Sequence, residues 1–160
     1  MTQFSKVLEK LVRDSVDFVI IGGVAATAHG SSMSTWDLDI CYARDKANLE
    51  KLAASLAPLH PRLRGAPPGL PFLWDAETLL RGLNFTLDTD FGELDLLGEV
   101  AGVGTYEKVR SGASLETVFG TSCRVISLSS LIVAKRAACR AKDRQALVEL
   151  EALWEAQQPE

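Results

Sequence analysis

A chain of 160 residues with 47% apolar content is long enough for one globular domain, residues 1–160, with a core of its own. Its net charge of −4, from 17 basic and 21 acidic residues, argues against broad electrostatic binding of nucleic acid, though not against a local basic patch. No apolar run approaches the ~20 residues of a membrane span, and Met1-Thr2-Gln3 begins no signal peptide. Cys41, Cys123 and Cys139 lack any CxxC spacing and read as reduced thiols, so a cytoplasmic location is expected, with no membrane partner.

Val7, Leu8, Leu11 and Val12 recur at helical spacing and predict a helix over Phe4 to Asp14. Phe18-Val19-Ile20-Ile21 has the length and composition of a buried strand. Gly22-Gly23 ends it, and Val24 to His29 reads as a short helix closed by Gly30. A polar loop holding Ser31, Ser32, Ser34 and Thr35 leads to Asp37-Leu38-Asp39-Ile40, which alternates as a strand does. Asp37 and Asp39 therefore point to one side with a repeat of ~6.6 Å. Two carboxylates facing one way call for a counter-charge. A divalent cation such as Mg²⁺ (or Mn²⁺) suits them, because it prefers hard oxygen ligands and keeps sites open for phosphate.

Asp45 predicts an N-cap for a helix from Lys46 to Ala57. Pro58 to Pro71 holds five of the six prolines and reads as an irregular rim or lid carrying Arg62 and Arg64. Phe72-Leu73-Trp74 is expected as a short edge strand, with Asp75 capping a turn through Leu80. Residues Asn84 to Asp90 and Glu93 to Leu96 alternate around Phe91-Gly92 as a β-hairpin. A two-residue loop would put Asp90 opposite Glu93 and Asp88 opposite Asp95, an unfavourable facing of like charges that again suggests a cation nearby.

Gly98 to Gly104 reads as loose chain, Tyr106 to Arg110 as a turn of helix, and Val118 to Ile126 as a second hairpin around Gly120-Thr121-Ser122. Ser127 or Ser129 is expected to cap a helix from about Ser130 to Cys139. It would continue towards Trp154 with an interruption near Lys142, giving a C-terminal helical segment over 128–156. Lys135, Cys139 and Lys142 fall on one face, with Arg136, Arg140 and Arg144 in a neighbouring stripe, which a solvated basic surface would explain.

Ile21-Gly22-Gly23, Asp37-Leu38-Asp39 and Leu94-Asp95-Leu96 together resemble the signature of the DNA polymerase β-like nucleotidyltransferase superfamily. The fuller run GGVAATAHG…TWDLDI is most similar to the minimal, abortive-infection (AbiEii-like) toxin-type bacterial members, and Leu131 to Leu150 resembles their KxxAxRxKD stretch. Met33 stands where those members carry a loop arginine. The resemblance implies an α/β (α+β) nucleotidyltransferase fold, a mixed, mostly antiparallel sheet with helices on one face and the acids along an exposed edge. It implies two-metal transfer of a nucleoside monophosphate from an NTP such as ATP to a protein, an RNA end or a small molecule. Asp37 and Asp39 would bridge both metals, and Asp95 would ligate the catalytic one and help deprotonate the acceptor. Gly22, Gly23, Ser31, Ser34, Thr35 and Lys135 would bind the nucleotide. A cognate toxin or antitoxin chain is an implied partner. Met33 and the short C-terminal part also fit a second reading, a nucleotide-binding or partner-interaction module of the same fold with weak or lost chemistry.

Overall fold

The computed structural model describes residues 3–138 and 140–159, so the readings of Met1, Thr2 and Cys139 fall outside the described residues. Helix α1 (Phe4–Arg13) buries Val7, Leu8 and Leu11. Strand β1 (Phe18–Ile21) is buried at every position, so both of its faces are covered. It runs directly into α2 (Gly22–Ala28), and β2 (Asp37–Tyr42) returns antiparallel to β1 with Ile21 opposite Asp39.

Asp45 caps α3 (Lys46–Leu56) by accepting from the Asn48 backbone N–H. The buried Asn48 amide then ties two chain crossings together. It accepts from the Asp17 N–H at 2.7 Å and donates to the carbonyls of Asp17 and Ala43 at 3.0 and 2.8 Å. Those bonds satisfy backbone groups that would otherwise be stranded in the core.

After a 3₁₀ turn at Ala57–Leu59, the short strand β3 (Arg62–Leu63) pairs with β4 (Asn84–Thr89) at the margin of the sheet. The expected edge strand at Phe72-Leu73-Trp74 is instead irregular chain. Its Trp74 indole N–H donates to the Ala53 carbonyl at 2.9 Å, anchoring the segment to α3 rather than to a ladder. Helix α4 (Ala76–Arg81) starts at Asp75, whose side chain accepts from the Thr78 N–H.

The hairpin of β4 with β5 (Gly92–Leu97) turns at Asp90-Phe91, not Phe91-Gly92, because Thr89 pairs with Gly92. The Thr89 hydroxyl fixes that turn by donating to the Gly92 carbonyl and accepting from the Phe91 N–H. Asp88 therefore faces Glu93, and Thr86, not Asp88, faces Asp95.

The stretch read as loose chain forms a small ribbon, β6 (Glu99–Val100) with β7 (Gly104–Thr105), leading into α5 (Tyr106–Ser111). Strands β8 (Ser114–Val118) and β9 (Thr121–Val125) turn through Phe119 and Gly120, both at positive φ. This is the geometry a two-residue hairpin loop favours, and Phe119 stacks on Phe4 with ring centroids 5.4 Å apart. The Ser127 hydroxyl accepts from the Ser130 N–H at the start of α6 (Leu128–Ala138), and α7 (Ala141–Gln157) follows the interruption expected near Lys142.

The main sheet has the order β3-β4-β5-β2-β1-β9-β8. The pairs β2–β5 and β1–β9 are parallel and the others antiparallel. The acids therefore lie on two neighbouring strands in the middle of the sheet, and not along an edge. Among the described residues no helix is long and apolar enough to cross a membrane.

Candidate active site

The parallel register of β2 with β5 sets Asp37 beside Glu93 and Asp39 beside Asp95. Paired residues on adjacent strands project to the same face, so Asp37, Asp39 and Asp95 converge. One carboxylate oxygen from each lies within 4.8 Å of the others. Burial, and then the charges of Asp37 and Asp95, push the Asp39 carboxyl up to about 8. Burial raises Asp95 as well, against a hydrogen bond from Asp39 and the positive charge of Arg64. Three partly buried carboxylates short of positive charge are a hard-oxygen donor set, the chemistry that fits Mg²⁺ or Mn²⁺.

The glycine pair is shaped to this cluster. Gly22 has φ +66, and a Cβ there would run into the Asp39 carboxylate, with Cγ at 2.8 Å. A Cβ on Gly23 would meet the Thr35 side chain at 2.7 Å. Thr35 in turn donates to the Asp37 carbonyl and lies 3.3 Å from Asp37 Oδ1, so the loop hydroxyl orients the first acid.

Two adjoining hollows open beside the acids. The first, of about 200 Å³, is lined by Gly22, Asp37, Asp39, Asp95, Lys135, Arg140 and Asp143 among others. The second, of about 120 Å³, takes in Gly23, Ser31, Met33, Ser34 and Thr35, and shares Asp37, Asp39, Lys135, Arg140 and Lys142 with the first. All nine residues singled out from the sequence thus line one hollow or the other. The loop carrying the serines is held to α7: the Ser32 N–H and hydroxyl donate to Glu149 at 2.6 and 2.9 Å. His29 closes the far end of α2 against the Ile126 carbonyl at 2.7 Å, a structural contact.

Three groups were not among the site residues expected from the sequence. Arg64 Nη2 donates to Asp95 Oδ1 at 2.9 Å and to the Leu87 carbonyl at 2.7 Å, while Nε donates to Asp88 at 3.2 Å. The counter-charge anticipated at the hairpin is therefore this guanidinium. Asp143 is fully buried and takes Lys135 and Arg140 on its two oxygens. Burial alone would raise its carboxyl, but Arg140 and Lys135 hold it below the ordinary carboxylate range. Glu149 is the third. The basic stripe through Arg140 and the Asp143 that closes the KxxAxRxKD stretch were visible in the sequence; the burial of that acid was not.

No family model and no curated protein matches the sequence. Solved structures do. The lincosamide antibiotic adenylyltransferase LnuA, lincomycin-bound, is 14% identical with a TM-score of 0.62, over 96% of this chain and 98% of that one. A Thermotoga maritima protein described as a nucleotidyltransferase is 13% identical with a TM-score of 0.59, over 99% and 97%. The antibiotic-resistance factor ANT(2'')-Ia is 15% identical with a TM-score of 0.52, over 96% and 90%. Identities this low speak to architecture, and the architecture they share with this chain, across nearly its whole length, is the nucleotidyltransferase fold.

Proposed function

We propose that the chain is a metal-dependent nucleotidyltransferase that moves a nucleoside monophosphate from an NTP to an acceptor hydroxyl. The observation that carries this reading is the meeting of Asp37, Asp39 and Asp95 within 4.8 Å, beside a glycine turn that admits no Cβ. Divalent metal held by these three carboxylates would lower the pKa of the acceptor hydroxyl and neutralise charge on the departing pyrophosphate. The chain's own groups divide the remaining work. Backbone N–H groups at Gly22 and Gly23 can approach phosphate closely because no side chain intervenes. Ser31 and Ser34 bring hydroxyls to the second hollow, Thr35 would act there by holding Asp37, and Lys135 adds charge to both hollows. Asp95, oriented by Arg64, is the group best situated to take the acceptor proton.

ATP is the proposed donor, in keeping with LnuA being an adenylyltransferase, and Mg²⁺ is the proposed ion because three carboxylates offer it hard oxygen ligands. The likeness to a lincosamide antibiotic adenylyltransferase and to an antibiotic-resistance factor favours a small-molecule acceptor over a protein or an RNA end. The likeness of GGVAATAHG…TWDLDI to AbiEii-like toxins supports a place in a cytoplasmic toxin–antitoxin or defence module with a cognate partner chain.

Incubation with labelled ATP, Mg²⁺ and a cell extract should yield a labelled acceptor. Asp37→Asn and Asp39→Asn should abolish that product while leaving the circular dichroism spectrum unchanged. Transfer surviving in either variant would defeat the assignment.

A further inference from the structure

Displacement in line at phosphorus needs two approaches, because the attacking oxygen enters opposite the departing one. Both hollows described above lie to one side of the acids. They take in Gly22 or Gly23 after β1 and Lys135 on α6, and neither takes in a residue of β3 or β4. An acceptor therefore has to come from the other side, over β4. The register shows what lies there. Thr86, Asp95 and Asp39 form one row across β4, β5 and β2, and Asp88, Glu93 and Asp37 form the next, which Arg62 extends on β3. With strands ~4.8 Å apart, β4 is one step and β3 two steps from Asp95. Thr86 is exposed, so the way across it is open.

At the β3 end of the second row lies a third hollow, of about 410 Å³, a size that suits a small molecule. Pro61, Pro67, Pro68, Leu70 and Phe72 line it beside Arg62 and Asp88. Prolines fix φ, so such a wall is formed before anything binds. The segment is also tied at both ends. Arg64 donates to Asp88 and Asp95, and the Trp74 indole donates to the Ala53 carbonyl. The charges at the rim are already paired, Arg62 with Asp90 and Asp88 with Arg64. Leu70, by contrast, keeps half of its surface exposed. What the hollow has left to give a ligand is apolar contact.

We propose that the hollow under the proline-rich loop is the acceptor subsite, and that it takes a small uncharged molecule whose apolar body packs on Leu70 and Phe72 while a hydroxyl reaches over Thr86 to Asp95. This rests on the nucleotidyltransferase reading and gives it an acceptor. The hydroxyl oxygen bonds to the α-phosphorus of the NTP as the bond from that phosphorus to the bridging oxygen breaks. Pyrophosphate departs on the side of the first two hollows, and the hydroxyl proton passes to Asp95.

The test uses the full chain with labelled ATP and Mg²⁺, and divides a cell extract by dialysis into small molecules and retained macromolecules. Label should appear on the small-molecule fraction. Leu70→Asp sets a carboxylate against the apolar body at a half-exposed position. It should raise the amount of that fraction needed for half-maximal transfer by about tenfold, the loss of one leucine contact and the cost of facing a charge. ATP affinity measured by calorimetry should not change. Benzyl alcohol serves as a direct probe of the hollow. In ¹H–¹⁵N spectra it should shift the amides of Leu63, Leu70 and Phe72, less so in Leu70→Asp, and glycerol should shift none of them. Label on macromolecules alone, an unchanged requirement in Leu70→Asp, or benzyl alcohol shifts away from the loop would each overturn the inference. If ATP binds but neither fraction is labelled, the benzyl alcohol spectra decide. Protein that binds no ATP with Mg²⁺ overturns the parent reading and this inference with it, whereas transfer to macromolecules alone overturns only this inference.

Discussion

Arg64 Nη2 stands 2.9 Å from Asp95 Oδ1, joining the proline-rich loop to the third acid of the cluster. The same guanidinium reaches Asp88, and Glu93 lies 4.0 Å from its Nη1. Asp88 and Glu93 face each other across the hairpin, a pairing that is unfavourable without an interposed cation. One side chain therefore relieves the repulsion on β4 and β5 and aims Asp95.

Arg64→Ala should show both roles separately. Loss of hydrogen bonds to charged groups, each worth about 1.5–3 kcal/mol, should lower the melting temperature. The rate of transfer should fall by at least about tenfold while ATP affinity stays within about twofold, because Arg64 lines neither of the two hollows proposed to take the nucleotide. Arg64→Lys should recover part of the stability but little of the rate, since an ammonium lacks the fork. Single-turnover kinetics beside calorimetric affinity checks this, and a variant with a wild-type rate would remove Arg64 from the site.

The Asp39 carboxyl, pushed up to about 8 by burial and by Asp37 and Asp95, predicts an inverted pH dependence. A carboxyl in the unfolded chain titrates near ~3.9, so between there and about 8 the folded state binds more protons than the unfolded one. Stability then falls as pH rises through that window. Protein in chelating buffer should melt at a lower temperature at pH 8.5 than at pH 6. Mg²⁺ should stabilise it more at the higher pH, where no proton has to leave. Asp39→Asn should flatten the slope; an unchanged slope in that variant would show that another group is responsible.

Two glycines at positive φ allow steric demand to be separated from backbone strain. Gly22→Ala drives a Cβ into the Asp39 carboxylate in addition to its strained φ of +66. Gly120→Ala, at φ +83, meets nothing within 4 Å. The second should cost roughly 1 kcal/mol in denaturant unfolding and leave transfer intact. The first should cost more and should abolish transfer, because Asp39 must move to make room. Equal stability losses with equal activity would mean that the approach of Gly22 to Asp39 carries no chemistry.

How much of this was legible in the residues follows the range of the interactions involved. Caps at Asp45 and Asp75, the buried run of β1 and the Asp37-Leu38-Asp39 alternation are local, and the sequence displays them directly. The hairpin loop was off by one residue, and the pairing register by two, because a single hydroxyl, Thr89, sets the turn, and alternation alone cannot distinguish Phe91-Gly92 from Asp90-Phe91. The parallel pairing of β2 with β5 joins segments far apart in the chain, so nothing near Asp39 announces Asp95 as its neighbour. Arg64 sits in a loop without periodicity, and Asp143 lies in the first turn of a helix; what each of them touches becomes visible only when the chain is folded.

That distant pairing also governs when a growing polypeptide could become chemically competent. A ribosome-bound chain that has reached only Asp90 already contains Asp37 and Asp39 but has no β5 to lay beside them. Prematurely released copies would be inert by construction, since the third acid arrives late and is useful only once its strand has zipped into the centre of the sheet.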